Sequence, residues 1–299
     1  MATETVFAAQ TTPPGPLLGF WRAVRENRGA VLGLSVVGII VLTAIFAGVV
    51  APHDPLEQYR GFSKLPPFWV EGSDPRFILG TDAVGRDMLS RIMYGARVSL
   101  FIGLAVMAVS MVSGIALGLA SAWFGGITDV IIIRVMDLIM SIPSLVLAIL
   151  IIAVIGPNLT NTIAAVTIVG LPFYVRLMRA SALTELTKDY VTAAKVSGVR
   201  PWRLMTVTVL PNCLAPLIVQ AALGVSDAIL AAAGLGFLGL GAQPPTPEWG
   251  SMLADTRDLM SSHPWVMAFP GIAILITVLA INLMGDGLRD ALDPRLRRS

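Results

Sequence analysis

The chain of 299 residues is 55% hydrophobic and only 13% charged, with a mean hydropathy of +0.78. A soluble globular domain has about 45–50% apolar and about 25% charged residues, so a water-soluble fold is excluded and an integral membrane protein is expected. The formal net charge of +2 leaves no strongly basic face for nucleic acid, and the single Cys213 excludes an internal disulfide or a cysteine metal cluster; beside an apolar run, it reads as a small packing residue.

Residues 1–16 form a tail of small residues and prolines that lacks the charged start and short apolar core of a cleavable signal peptide. Arg22, Arg25 and Arg28 then lead into the uncharged run 30–50. A helix needs about 20 residues to cross the hydrocarbon, so this run is the first span, and the basic residues before it put the N-terminus in the cytoplasm. Residues 52–97 follow as a long external segment. Within it, 79–100 places Leu89, Ile92, Met93 and Ala96 on one helical face, which predicts a separate helix lying at the interface before the second span.

The second span is expected at 98–122. Ser110, Gly114, Gly118 and Ala122 recur every fourth residue there, a stripe of small side chains along which a neighbouring helix can come close. Gly125 and Gly126 turn the chain, a third span runs over 131–155, and Gly156-Pro157-Asn158 ends it. The fourth span, 159–178, is interrupted by Gly170 and Pro172 and should be kinked; Arg176 and Arg179 mark its cytoplasmic end.

Residues 189–212 are a charged island between apolar runs. Tyr190, Ala193, Ala194 and Ser197 share one helical face, Gly198 supplies a residue able to turn at positive φ, and Pro201 suits the first turn of a second helix. Lys188, Lys195, Arg200 and Arg203 keep this helical hairpin out of the hydrocarbon. A fifth span at 214–240 closes in a glycine-rich stretch, three prolines stiffen 243–250, and a sixth span covers 266–284. Arg289, Arg295, Arg297 and Arg298 hold the tail inside. Most of the 21 Lys and Arg fall on proposed cytoplasmic segments, which fits six spans with both ends inside.

Little covalent chemistry is available to such a chain. Lys64, Lys188 and Lys195 are preceded by Ser, Thr and Ala, so there is no Gly-Lys-Ser/Thr of a Walker A loop. His53 and His263 both fall outside, read as solvated, and make no pair at metal spacing. Asp137, Asp227 and Asp286 lie inside or at the ends of spans, where a carboxylate usually faces a partner or a wet cavity. Asp137 has Arg134 one turn earlier and is expected to pair locally or between helices. Asp227 has no partner on its own helix and is the better candidate for lining a polar pathway, although a hydrogen bond to another subunit suits it as well. Asp286 sits near the cytoplasmic end.

The run Thr192-Ala193-Ala194, then Gly198, then Leu210-Pro211 resembles the Glu-Ala-Ala loop of binding-protein-dependent ABC importer permeases. Thr192 stands for the usual Glu and Thr208 for the usual Ile. The wording of 79–100 and of 243–250 is similar to the peptide and nickel branch of that family, with Ala232 where many oligopeptide members carry Glu. The resemblance covers nearly all of the chain beyond residue 17. It implies an all-α type I ABC importer permease fold, with six transmembrane helices and a cytoplasmic coupling hairpin, in the bacterial inner membrane. It divides the chain into a cytoplasmic lead-in (1–29), a first span with its external segment (30–97), a core permease domain (98–287) and a cytoplasmic tail (288–299).

The family further implies a second homologous permease, two ATPase subunits that hold ATP and Mg, an external substrate-binding protein and surrounding lipid. This chain itself would be non-catalytic and bind no cofactor. Its coupling loop would use Tyr190, Thr192, Ala193, Ala194, Gly198, Pro201, Leu210 and Pro211. Di- or oligopeptides are the expected cargo; nickel, glutathione and haem importers share the same features. An ion-driven secondary transporter and a non-transporting assembly factor are the alternatives of different class.

Overall fold

The computed structural model describes residue 21 and residues 24–292. The tail 1–16, Arg22, Arg295, Arg297 and Arg298 lie outside the described residues. Five helices among those described are long and apolar enough to cross a membrane, and a bent pair makes a sixth span if it is counted as one.

Helix α1 (Arg28–Val50) starts at Asn27, whose side chain accepts the Ala30 N–H at 3.1 Å and satisfies one of the open donors of the first turn. The Asn27 amide also donates to Asp290 at 2.9 Å. Most of α1 presents bare apolar side chains outward, Leu32, Ile39, Ile45 and Val49 among them, the surface expected against acyl chains rather than water.

Residues 51–87 form turns without a helix. The segment folds around Phe77, 1% exposed, against which His53 and Tyr59 pack at ring-centroid distances of 5.0 and 5.1 Å. Helix α2 (Met88–Phe124) then runs unbroken for 37 residues from Asp87, whose carboxylate accepts the Ser90 N–H at 2.9 Å. The expected interface helix and second span are therefore one element, and the division at 97/98 falls inside it. No proline interrupts 88–124, so nothing turns the helix at the membrane surface. Its N-terminal part is instead tied to α1 by Arg97, which donates to the carbonyls of Ala44 and Ile45 at 2.9 and 3.1 Å.

The third span, by contrast, is not continuous. Helices α3 (Gly126–Met140) and α4 (Ser144–Ile155) meet at 93°. Pro143 lies at the break; its ring favours an extended residue before it and would clash with a helical carbonyl behind it. Helix α5 (Leu159–Leu186), by contrast, passes through the buried Pro172 as one helix of 28 residues and continues past the expected end at 178.

After the short helix α6 (Asp189–Val196), α7 spans Pro201–Phe237, with a π-helical insert at Leu204–Val209. The second hairpin helix and the fifth span are thus one rod. Helix α8 (Trp249–Ala254) is capped by Glu248, which accepts the Gly250 and Ser251 N–H groups at 2.8 Å each and faces the Ser99 hydroxyl at 3.3 Å. Helix α9 (Pro264–Leu292) returns alongside α1 and reaches beyond the expected tail boundary at 288. Their close approach is permitted by small residues: a Cβ on Gly33 would stand 2.5 Å from the Ala280 carbonyl, and one on Gly287 would meet Ala30 at 2.1 Å.

The same device joins α2 to α5. Ser110, Gly114, Gly118 and Ala122 are all buried, and a Cβ at Gly114 or Gly118 would lie 2.3 or 2.7 Å from the Cβ of Tyr174 or Met178. Gly114→Ala should therefore force the helices apart and lower stability by about 1–3 kcal/mol. Gly38→Ala, with nothing within 4 Å of the added methyl, should be neutral or stabilising, because alanine is the better helix former. Thermal unfolding of both variants in one detergent decides it; equal midpoints would mean that the contact is not tight.

Candidate functional site

Two features concentrate functional side chains: the hairpin of α6 and the start of α7, and a cavity in the helix bundle. The hairpin turns at Gly198, φ +76°, where the Gly198 N–H donates to Lys195 at 3.0 Å and the Val199 N–H to Ala194 at 3.2 Å. A non-glycine residue is disfavoured at that angle, and the paired carbonyls close the end of α6. Pro201 opens α7 in the first turn, where its missing N–H costs nothing. Leu210 and Pro211 follow the π-helical insert; the Asn212 side-chain amide donates to the Thr208 carbonyl at 2.7 Å, satisfying an acceptor beside the proline.

The hairpin is seated by Val191, fully buried with Leu204, Met205, Val209 and Cys213 against Tyr174, Met178 and Ala182 of α5. Cys213 is thus a packing residue. Glu185 at the end of α5 adds a polar clamp: it accepts Lys188 Nζ at 2.6 Å and the Tyr190 hydroxyl. Burial, reinforced by the hydrogen bond to Glu185 and that group's negative charge, pushes the Tyr190 phenol up to about 12. Ala194 is half-buried, whereas Thr192, Ala193 and Ser197 face outward with Val196, 84% exposed, and Trp202, 74% exposed. The seating face is therefore Val191 and Ala194, and the four residues expected on one face divide between it and the surface. Val191 and Trp202 were not legible as site residues; the signal for Trp202 is a large aromatic beside Pro201 in an otherwise basic loop.

The cavity, about 440 Å³ and open on one side, is lined by residues of α2, α4, α5 and α7. Along α7 it is lined by Gln220, Gly224, Asp227 and Ala231, which share one face at spacings of four and three residues. Ser110, Ser144 and Tyr174 complete the polar lining, and Val106, Val169 and Phe173 are among the apolar wall. Asp227 is exposed and makes no hydrogen bond or ion pair with any described residue. An ionised group at the bilayer centre costs about 2.5–3.5 kcal/mol on insertion scales, so a carboxylate that lacks a partner belongs where water or a cation can reach it. Gly224 admits the Tyr174 ring: a Cβ there would stand 2.0 Å from the hydroxyl, which lies 3.5 Å from the Gln220 carbonyl. Ala232 is 3% exposed in the apolar core and not on the cavity wall.

Asp137 is elsewhere. It pairs across helices with Arg176 of α5 and not with Arg134. Asp129, which the sequence did not single out, holds Arg179 through two contacts of 2.5 Å, so α3 is bound to α5 by two ion pairs. Asp286 is exposed between Gly285 and Gly287. His53 is not simply solvated: its Nδ1 lies 3.6 Å from the fully buried Asp87 carboxylate.

Comparison with known proteins gives concordant matches. Residues 114–298 match the model of the binding-protein-dependent transport system inner membrane component family, and residues 15–67 match the N-terminal TM domain of oligopeptide transport permease C. The di/tripeptide transport system permease protein DppC of Pseudomonas aeruginosa is 55% identical over 96% of this chain and 94% of its own length. The dipeptide transport system permease protein DppC of Escherichia coli K12 is 53% identical over 99% of both chains. Among solved structures, an inward-facing MetNI methionine ABC transporter shares the fold at a TM-score of 0.56 and 20% identity, covering 69% of this chain and 98% of that one.

The Tyr190 clamp has a defined pH dependence. The phenol's folded value is raised, so its contribution is complete below the unfolded value of about 10 and is lost as pH climbs through about 12. Amide exchange in α6 should accelerate between these limits. Tyr190→Phe should show faster exchange at neutral pH and no further phenol-linked rise. Identical profiles for the two proteins would remove Tyr190 from the clamp.

Proposed function

The chain belongs to the family of binding-protein-dependent transport system inner membrane components, and from that premise we propose that it is the permease subunit of an ATP-driven importer of di- and oligopeptides. The observation that carries this reading is the rigidly seated hairpin: Val196 and Trp202 stand bare beside Lys195, Arg200 and Arg203 on a helix pair bolted to the spans. A preformed apolar knob with a basic rim is suited to a cleft on a partner protein. Two ATPase subunits, which would hold ATP and Mg, are the proposed occupants of that side. A second homologous permease would complete the pathway, and an external binding protein would deliver peptide. The peptide cargo is supported by the names of the di/tripeptide and dipeptide relatives.

The mechanical argument follows α7. From Pro201 to Asp227 is about 40 Å at about 1.5 Å per residue, so one helix carries both the hairpin and the cavity wall. Movement of the hairpin, driven by ATPase closure, would displace Gln220, Gly224 and Asp227 together. Asp227 is proposed as a translocation-path residue. For Asp137 the pathway role is the weaker part of the proposal, because its charge is already matched by Arg176.

Gly198→Asp tests the coupling. Nothing lies within 4 Å of an added Cβ, so the cost is backbone strain alone, roughly 1–2 kcal/mol for a left-handed residue. In proteoliposomes containing the complete complex, uptake should fall several-fold with the chain inserted and abundant, accompanied by uncoupled hydrolysis or by dissociation of the ATPase. Wild-type uptake and wild-type stimulation by the binding protein would remove Gly198 from the coupling path. Uptake driven by an ion gradient in place of ATP would overturn the importer reading itself.

The proposed topology places both termini and the hairpin in the cytoplasm and the four regions 1–29, 30–97, 98–287 and 288–299 in the order given above. Tags at Ser299 and within 183–212 should be protected from protease in right-side-out vesicles, and a tag beside Glu71 should be cleaved. Ser299 and the hairpin on opposite faces would refute six spans.

A further inference from the structure

We infer that Asp227 holds the N-terminal ammonium group of a peptide in transit, which makes it a specificity-determining residue of the pathway; this rests on the peptide-permease reading above. The cavity of about 440 Å³ is within the roughly 300–1,000 Å³ typical of small-molecule sites, and its walls are mostly apolar. Such a site orients its ligand through a few polar groups, and Asp227 is the one carboxylate in the lining. Asp129, Asp137 and Glu185, the carboxylates of α3 and α5, are each matched by Arg or Lys; Asp286 of α9 is exposed and is not in the lining. Asp227 is matched by nothing among the described residues, so its complement must come from outside the chain.

The chemistry of the lining selects the kind of complement. A transition-metal ion wants several imidazole, thiolate or carboxylate donors, and the lining offers one carboxylate without a histidine or cysteine. A primary ammonium instead presents three N–H donors around one charge. Asp227 and the Gln220 side chain on α7 offer acceptor oxygens, and the Tyr174 hydroxyl of α5, which donates to the Gln220 backbone carbonyl at 3.5 Å, keeps its own lone pairs to accept with, Gly224 leaving room for the phenol between the two α7 residues. No Lys or Arg is in the lining to receive a carboxylate. This half of the pathway therefore reads the amino end of the peptide and leaves the carboxyl end to other surfaces.

The test uses proteoliposomes with the complete complex and two cargos, Ala-Ala and lactyl-alanine, in which a hydroxyl replaces the ammonium. Each is supplied at a concentration that saturates the binding protein, as judged by maximal ATPase stimulation. Wild type should move Ala-Ala at least about tenfold faster per ATP than the hydroxy analogue, the discrimination expected of one charge-assisted hydrogen-bonded contact. Asp227→Asn should bring that ratio close to one while ATPase stimulation is retained, and Asp227→Glu should restore the preference. Retention of the wild-type ratio in Asp227→Asn would overturn the inference alone. An equal loss of both cargos with loss of the assembled complex would also overturn it, assigning Asp227 to a structural contact with another subunit. A wild-type complex that moves neither cargo would overturn the peptide reading and this inference with it.

Discussion

The architecture depends on the approach of helices around Tyr174. Its backbone and Cβ fit against Gly114 of α2, and its hydroxyl end lies over Gly224 of α7, so one side chain spans the space between three long helices. In hydrocarbon there is no hydrophobic drive to bring helices together, and close packing of small residues has to supply the contact. Both glycines are the permissive half of that contact, and the tyrosine is the strut. Tyr174 itself lines the cavity, together with Gln220 and Asp227 on either side of Gly224 along α7. Cavity and packing are consequences of the same three positions.

The segment opposite the hairpin shows how a basic stretch can sit on that side. Arg86 reaches Asp82 at 2.5 Å and Asp255 at 3.5 Å, Arg91 shares Asp82 at 3.5 Å, and Arg97 is taken up by backbone carbonyls of α1. Arg76 is held by Asp74, whose carboxyl is drawn down to about 2 by hydrogen bonds from the Arg76 side chain and backbone. These cations are internal cross-links of a folded cap that joins residues 51–87 to α2 and α8. Orientation rules count Lys and Arg on short loops, and here four of the six positive charges, all but Arg60 and Lys64, are held by carboxylates or backbone carbonyls.

That distinction also explains what the sequence made legible. Runs of about 20 apolar residues and the spacing of Gly114 and Gly118 are one-dimensional signals, and the spans and the small-residue stripe could be read from them. Gly198 and Pro201 carry their backbone preferences with them, so the turn was legible too. Where a helix continues depends on what blocks it. The apolar pattern at 79–100 could not tell a separate helix from the start of α2, because that depends on Asp87 as a cap and Arg97 as a tether. Pro143 broke the third span and Pro172 did not break α5, although both stand in apolar runs; neighbouring contacts, invisible in sequence, made the difference. Partner choice was equally hidden. Arg134 is close to Asp137 in sequence, yet Arg176 is the residue that packing delivers to it.

Rigidity and specificity meet in α7. A flexible joint between hairpin and span would let a movement of the hairpin dissipate before reaching the cavity, whereas Pro201–Phe237 stays helical through a π-helical insert that carries buried Leu204, Met205 and Val209, and through Pro211 and Pro216. A π-turn keeps the backbone helical while shifting the face presented by the residues beyond it. Beyond the insert, Cys213 faces the apolar seat while Gln220, Gly224 and Asp227 line the cavity. Pro211 fixes where that shift can occur, because its ring has no N–H to give to the preceding turn. Pro211 thus stands where the π-helical insert gives way to the α-helix that carries the cavity wall.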